Sequence, residues 1–272
     1  MEAVLGAWLG AVGINVLLSA FWIWRRSALT TFSWAVVRDG WGRSLVRGLR
    51  ALLAISLTLV LVRTDVYMLG PMLGARAVGQ ISVAATLAEY LWYVPSILSS
   101  MMFAAVAASR GPATVAQLGR AFRTVIVALV PITLALVVVG HKLVPLIYGA
   151  AYDDAGMLLV LLAPGMLAIS LHLVIDSYFT GSGFPPITYV SAGAAVLLKV
   201  GLNLVVVPRR GIEGAAVTTS LVYVSLLAAK VVAFRQATGA PLALLFRVSW
   251  SDVTRNVRTA RAWVRRLGQA PA

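Results

Sequence analysis

The sequence predicts an all-α polytopic membrane protein with about seven transmembrane helices, and three observations carry that expectation. The chain of 272 residues is 60% hydrophobic and only 12% charged, with mean hydropathy +0.91; a soluble domain is about 45–50% apolar and about 25% charged. The apolar excess falls in runs of about 20 residues, the length that crosses a bilayer core, and not in the short alternating segments of a β-barrel. The basic residues flank those runs, where Lys and Arg set topology and meet anionic head groups.

Taken in order, the candidate spans are residues 3–24, 51–72, 78–108, 121–140, 155–178, 187–207 and 212–234. The first lacks a basic n-region and runs directly into Arg25-Arg26, so it is expected to be a retained span and not a cleaved signal. The second, ALLAISLTLVLVRTDVYMLGPM, carries Arg63 and Asp65 near its middle. The third is longer than the bilayer requires, which predicts tilt or an extension beyond it. Pro95, Pro131 and Pro164 lie inside the third, fourth and fifth spans. Each removes a backbone hydrogen bond and bends its helix, which bundles tolerate where neighbours satisfy the freed carbonyl. PRRG separates the sixth and seventh spans.

Two basic stretches complete the expected organisation of 1–25 (first helix), 26–50 (interfacial segment), 51–235 (six-helix bundle) and 240–272 (tail). Phe32, Trp34, Val37, Trp41, Leu45 and Leu49 lie among arginines in the interfacial segment. In the tail Phe246, Trp250, Val253, Val257, Val264 and Leu267 recur at spacings of three, four and seven. That is the pattern of an amphipathic helix on an anionic leaflet, with Arg255, Arg258, Arg265 and Arg266 meeting lipid.

Charge asymmetry predicts orientation. Arg25, Arg26, Arg38, Arg43, Arg47 and Arg50 follow the first span, Arg110, Arg120 and Arg123 follow the third, and the chain end is counted from Lys230 onward. These 17 basic residues share one side against four on the other, Arg76, Lys142, Arg209 and Arg210. The expectation is a plasma-membrane protein with its N-terminus outside and its C-terminus cytoplasmic. The net charge of +14 is thereby assigned to lipid and not to nucleic acid.

No catalytic set emerges, and the chain is not expected to be an enzyme. There is no cysteine, which removes thiolate metal sites and cysteine nucleophiles. His141 and His172 have no second ligand at metal spacing, and no Walker loop, dinucleotide fingerprint or nucleophile elbow is present. No metal or cofactor is expected. What remains is a polar inventory inside apolar spans: Arg63, Asp65, Glu89, Tyr90, His172, Asp176, Lys199 and Asn203. Charges at that depth cost several kcal/mol each on insertion scales, roughly 2.5–3.5 at a helix centre, and face water or a partner. Arg63 and Asp65 are two residues apart, hence about 200° around the helix, and each needs its own partner. Lys199 and Asn203, four apart, share a face. Two readings stay open: charge pairing that holds the bundle together, or a cationic cavity. In the second, Arg63 and Lys199 receive an anionic group, Asp65, Glu89 and Asn203 balance or bind alongside, and His172 and Asp176 serve coupling or structure. Arginine suits phosphate groups through its bidentate donors.

Several segments then carry a family resemblance. RTDVYMLGPMLGARAVGQISVAATLAEYLWYVPSILSSMM, with Leu69-Gly70, Ala77-Val78-Gly79 and Pro95, resembles the seventh and eighth helices of polysaccharide flippases of the multidrug/oligosaccharidyl-lipid/polysaccharide exporter superfamily. LVPLIYGAAYDDAGMLLVLLAPGML is similar to that family's ninth-to-tenth connection. DSYFTGSGFPP and LNLVVVPRRGIEGAAVTTSLVY resemble its next two junctions. The resemblance spans about 50–234. It implies a MATE-like fold and movement of polyprenyl-diphosphate-linked oligosaccharide across the plasma membrane by alternating access between two six-helix bundles. Here one helix resembling the sixth precedes a single, C-terminal bundle, so a partner bundle in another chain, or a longer protein of which this is a fragment, is expected. The alternatives are a non-transporting scaffold in a polysaccharide assembly complex, a multidrug or cation exporter relative, or a polyprenyl-phosphate transferase.

Overall fold

The computed structural model describes residues 2–26, 34–252 and 254. Among these there is no strand: the chain is an all-α polytopic membrane protein. It divides into two units, residues 1–46 and 47–272. The first unit contains α1 (Glu2–Arg26), on which the predicted first span falls. α2 (Trp34–Leu73) is helical across position 50, so the expected boundary between an interfacial segment and the second span is not a break in the helix. The arginines assigned to lipid in the tail, Arg255, Arg258, Arg265 and Arg266, lie outside the described residues.

The second unit continues with α3 (Ala75–Glu89), a 3-10 turn (Tyr90–Trp92) and α4 (Tyr93–Ala108). Then come α5 (Pro112–Tyr148), α6 (Asp153–Gly181), α7 (Pro186–Thr238) and the short α8 (Ala243–Phe246). Among the described residues five helical segments, the first of them Gly40–Leu73 of α2, are long and apolar enough to cross a membrane. α7 holds 53 residues, about 80 Å if straight, against a hydrocarbon core of about 30 Å. It breaks at Gly211, whose φ of 58° and ψ of −144° leave the helical region. The predicted sixth and seventh spans are thus its two arms, 186–210 and 212–238, and Asn203 and Thr219, eight residues before and after Gly211, end on the same carboxylate.

α6 is the core of the bundle, packed against α3, α4, α5 and α7. It is apolar all round, with Leu158, Leu159, Ile169, Val174 and Ile175 fully or almost fully buried, the composition of a helix surrounded by others. With no hydrophobic drive between helices in lipid, close approach and hydrogen bonds do the work. At Gly165 an added Cβ would stand 2.5 Å from the Cα of Ser220. There Ser220 Oγ accepts from Gly165 N (3.3 Å) and donates to Leu161 O (2.6 Å), inserting itself into the helical ladder next to Pro164. Pro95 likewise denies Leu91 O its helical donor, and Ser170 of α6 supplies one at 3.3 Å. At Pro95 the freed carbonyl is thus satisfied by a serine of a neighbouring helix, and beside Pro164 a serine of α7 bridges the next carbonyl and amide of the ladder. Buried Gln80 ties the α5–α6 turn to α3, donating to Ala151 O (2.7 Å) and accepting from Ala155 N (3.0 Å).

Candidate functional site

The intramembrane charges of the second unit resolve into three pairs of different character. Asp65 on α2 is the centre of the first. Its carboxylate receives Lys199 Nζ at 2.8 Å, Thr219 Oγ1 at 2.7 Å and Asn203 Nδ2 at 3.1 Å. The Lys199 ammonium also donates to Leu61 O at 3.0 Å and stands 5.4 Å from the centre of the Tyr223 ring. Lys199 and Asn203 are wholly buried. An aspartate with three donors, opposite a lysine with two oxygen acceptors, leaves little free capacity on either ion.

The second pair joins Asp176 on α6 to Lys230 on the second arm of α7, Nζ to Oδ1 2.6 Å. Lys230 is buried and sits 5.1 Å from the Phe179 ring centre. This corrects the charge count: Lys230 is not one of the basic residues trailing the last span but an interior cation. The third pair is loose. Arg63 Nη1 and Glu89 Oε1 are 3.9 Å apart, and the Arg63 side chain is 52% exposed while Glu89 is 29% exposed.

Arg63 and Glu89 stand at the inner end of a cleft of about 370 Å³. One wall is α2, with Ala54, Ile55, Thr58, Leu59 and Val62; the other is α6 and the first arm of α7, with Leu173, Thr180, Thr188 and Ala192. Trp92 of the 3-10 turn and Phe184 of the α6–α7 turn complete it. Phe184 holds a left-handed φ of 58°, strained for a non-glycine residue, and this places its ring on the cleft. His172 and Asp176, one helical turn apart on α6, line the same space. Nδ1 of His172 and Oγ1 of Thr188 have no hydrogen-bond partner. A second, smaller cavity of about 50 Å³ continues past Arg63 and Glu89 to Asp65, Thr219 and Tyr223.

The structure therefore brings Arg63, Glu89, His172 and Asp176 to one cleft and withdraws Lys199 and Asn203 from it. The expectation that Lys199 joins Arg63 in receiving an anion is corrected: its charge is spent on Asp65, because a fully buried ammonium is held by the carboxylate and carbonyl that solvate it. Arg63 and Asp65 each have a separate partner, as their angular separation requires. Sequence reasoning missed Thr219, Tyr223, Trp92 and Thr188. Thr219 had a signal, its placement eight residues beyond Gly211 and level with Asn203 in a helical hairpin. No cluster of metal-ligating side chains is present among the described residues. No protein-family model, curated protein or solved structure matches the chain.

Proposed function

We propose that this bundle is the substrate-binding half of an exporter of lipid-linked oligosaccharide, and that the cleft takes the diphosphate head of a polyprenyl-diphosphate-linked glycan. One observation carries the reading: Arg63, half-exposed on an apolar-walled cleft, is the only one of the three interior cations whose donors are not consumed by a close partner among the described residues. A guanidinium binds phosphate through paired donors, while Ile55, Leu59, Val62 and Leu173 offer a surface for the proximal isoprenoid units. With the N-terminus outside and the C-terminus cytoplasmic in the plasma membrane, the Phe184 end of the cleft faces the cytoplasmic leaflet, where such lipids are assembled. A second bundle, in the same protein or another chain, provides the opposing surface for alternating access.

The test is binding of a fluorescent short-chain polyprenyl-diphosphate sugar to the purified full chain in detergent. Arg63→Ala is expected to weaken affinity at least about tenfold, the scale of one lost charge-assisted contact, with an unchanged unfolding midpoint. Undiminished binding by R63A overturns the assignment.

A further inference from the structure

The interior of the second unit is electrically closed: Arg63, Lys199 and Lys230 stand against Glu89, Asp65 and Asp176, one carboxylate to each cation. Among the described residues no surplus cation waits in the cleft for an incoming anion. A phosphate group that binds Arg63 therefore displaces Glu89 from it. It leaves a second negative charge about one side chain away, in a cleft walled mainly by apolar residues. An uncompensated charge at this depth is what the bilayer penalises most, so a positive charge has to arrive with the anion.

We infer that Glu89 is that charge-compensating site: it accepts a proton when the anionic head takes Arg63, so that anionic ligand and proton are bound together. This rests on the proposed reading of the cleft and assigns its coupling. The geometry favours Glu89 over its neighbours. The Asp65 carboxylate faces Glu89 across the smaller cavity, as does Tyr223, but Asp65 already accepts from three donors. Asp176 across the larger cleft is held by Lys230 at 2.6 Å. Glu89 has only Arg63, at 3.9 Å, with no closer partner to lose. His172, with Nδ1 unpartnered, is the remaining titratable group on the cleft. The chemistry is an exchange: Arg63 moves from carboxylate to phosphate, a solvent proton moves onto a Glu89 carboxylate oxygen, and the proton offsets one of the negative charges that the ligand brings.

The experiment uses the purified full chain in weakly buffered detergent with a pH indicator. The probe is a short-chain polyprenyl-diphosphate-linked sugar, whose phosphates are both esterified and keep fixed charges near neutral pH. Wild type is expected to take up about one proton per probe bound, with affinity falling by up to about tenfold per pH unit as pH rises. Glu89→Gln is expected to bind the probe with no proton uptake and no pH dependence; His172→Gln, at the other uncommitted titratable group lining the cleft, is expected to keep about one proton taken up per probe bound whatever its affinity. Binding without proton uptake in wild type overturns the inference and leaves the binding reading standing, and needs no variant to interpret. Binding that requires sodium in place of a proton, uptake that persists in E89Q, or uptake lost only in H172Q overturns the assignment to Glu89. Failure of the wild-type chain to bind the probe at all overturns the reading of the cleft and this inference with it.

Discussion

Arg63 and Asp65 sit two residues apart on one helix and illustrate opposite ways of keeping a charge inside a membrane. Asp65 points into the bundle, where three side chains from both arms of α7 converge on its two oxygens. Arg63 points around the helix toward the cleft, half-exposed, with one distant carboxylate. The difference follows from the partner helix. α7 folds back on itself at Gly211 and presents two donor faces to Asp65, whereas the cleft side of α2 meets α6 and α7 only across a gap. The closed arrangement stabilises the fold; the open one keeps donors in reserve. Position on a helical wheel, then, separates a charge enclosed by three donors from one left half-exposed beside a distant partner.

The largest effect expected from breaking this contrast is at the closed site. Asp65→Ala removes the counter-charge of a wholly buried lysine and should cost about 3–5 kcal/mol, the range for an orphaned member of a buried pair. It should appear as a large drop in the unfolding midpoint in detergent, or as loss of protein from the membrane. Adding Lys199→Met to the same chain should recover most of that loss, since an apolar side chain of similar length no longer needs the carboxylate. If the double variant is as unstable as D65A alone, the ion pair is not what holds α2 against α7.

Much of this was legible in the sequence, for reasons that differ by element. The all-α, membrane-spanning class was readable because hydropathy and length fix it, and the break between the two arms of α7 is signalled by PRRG. The need of Arg63 and Asp65 for separate partners was readable from helical geometry alone. Which partners they find was not. Lys199 carries the same charge and sits at similar depth to Arg63, and only the packing of α7 against α2 turns it to Asp65. Lys230, close to a basic tail in sequence, reads as a loop charge until α6 places Asp176 beside it. The serine contacts beside Pro95 and Pro164 were invisible too, because Ser170 and Ser220 act across helices at sequence separations of 79 and 59 residues.

Packing density gives a second, intermediate way to sharpen the contrast. Gly165 lies where α6 meets α7 so closely that a methyl group would enter the backbone of Ser220. Gly165→Ala should destabilise by about 1–3 kcal/mol, the usual cost of overpacking. Gly79 on α3 has no atom within 4 Å of where its Cβ would stand, so Gly79→Ala should be neutral or stabilise by up to about 1 kcal/mol, as expected for alanine in a helix. Unfolding midpoints of the two variants should therefore move in opposite directions; similar shifts would mean that the α6–α7 contact is looser than its geometry indicates.

The smallest effect on stability is expected at Arg63. The Arg63–Glu89 pair is long and half-exposed, and pairs of that kind contribute about 0–1 kcal/mol. Arg63→Ala should leave the unfolding midpoint within about a degree or two of wild type, because little of the fold depends on it. Glu89 is only partly buried and can be rehydrated through the cleft, so losing its partner does not strand it as losing Asp65 strands Lys199. The same substitution should abolish or sharply weaken binding of an anionic lipid head. The variant is informative because the two readouts separate: a large stability loss without a binding defect would place Arg63 with the structural pairs, and the cleft would then contain no uncommitted cation among the described residues to receive a phosphate.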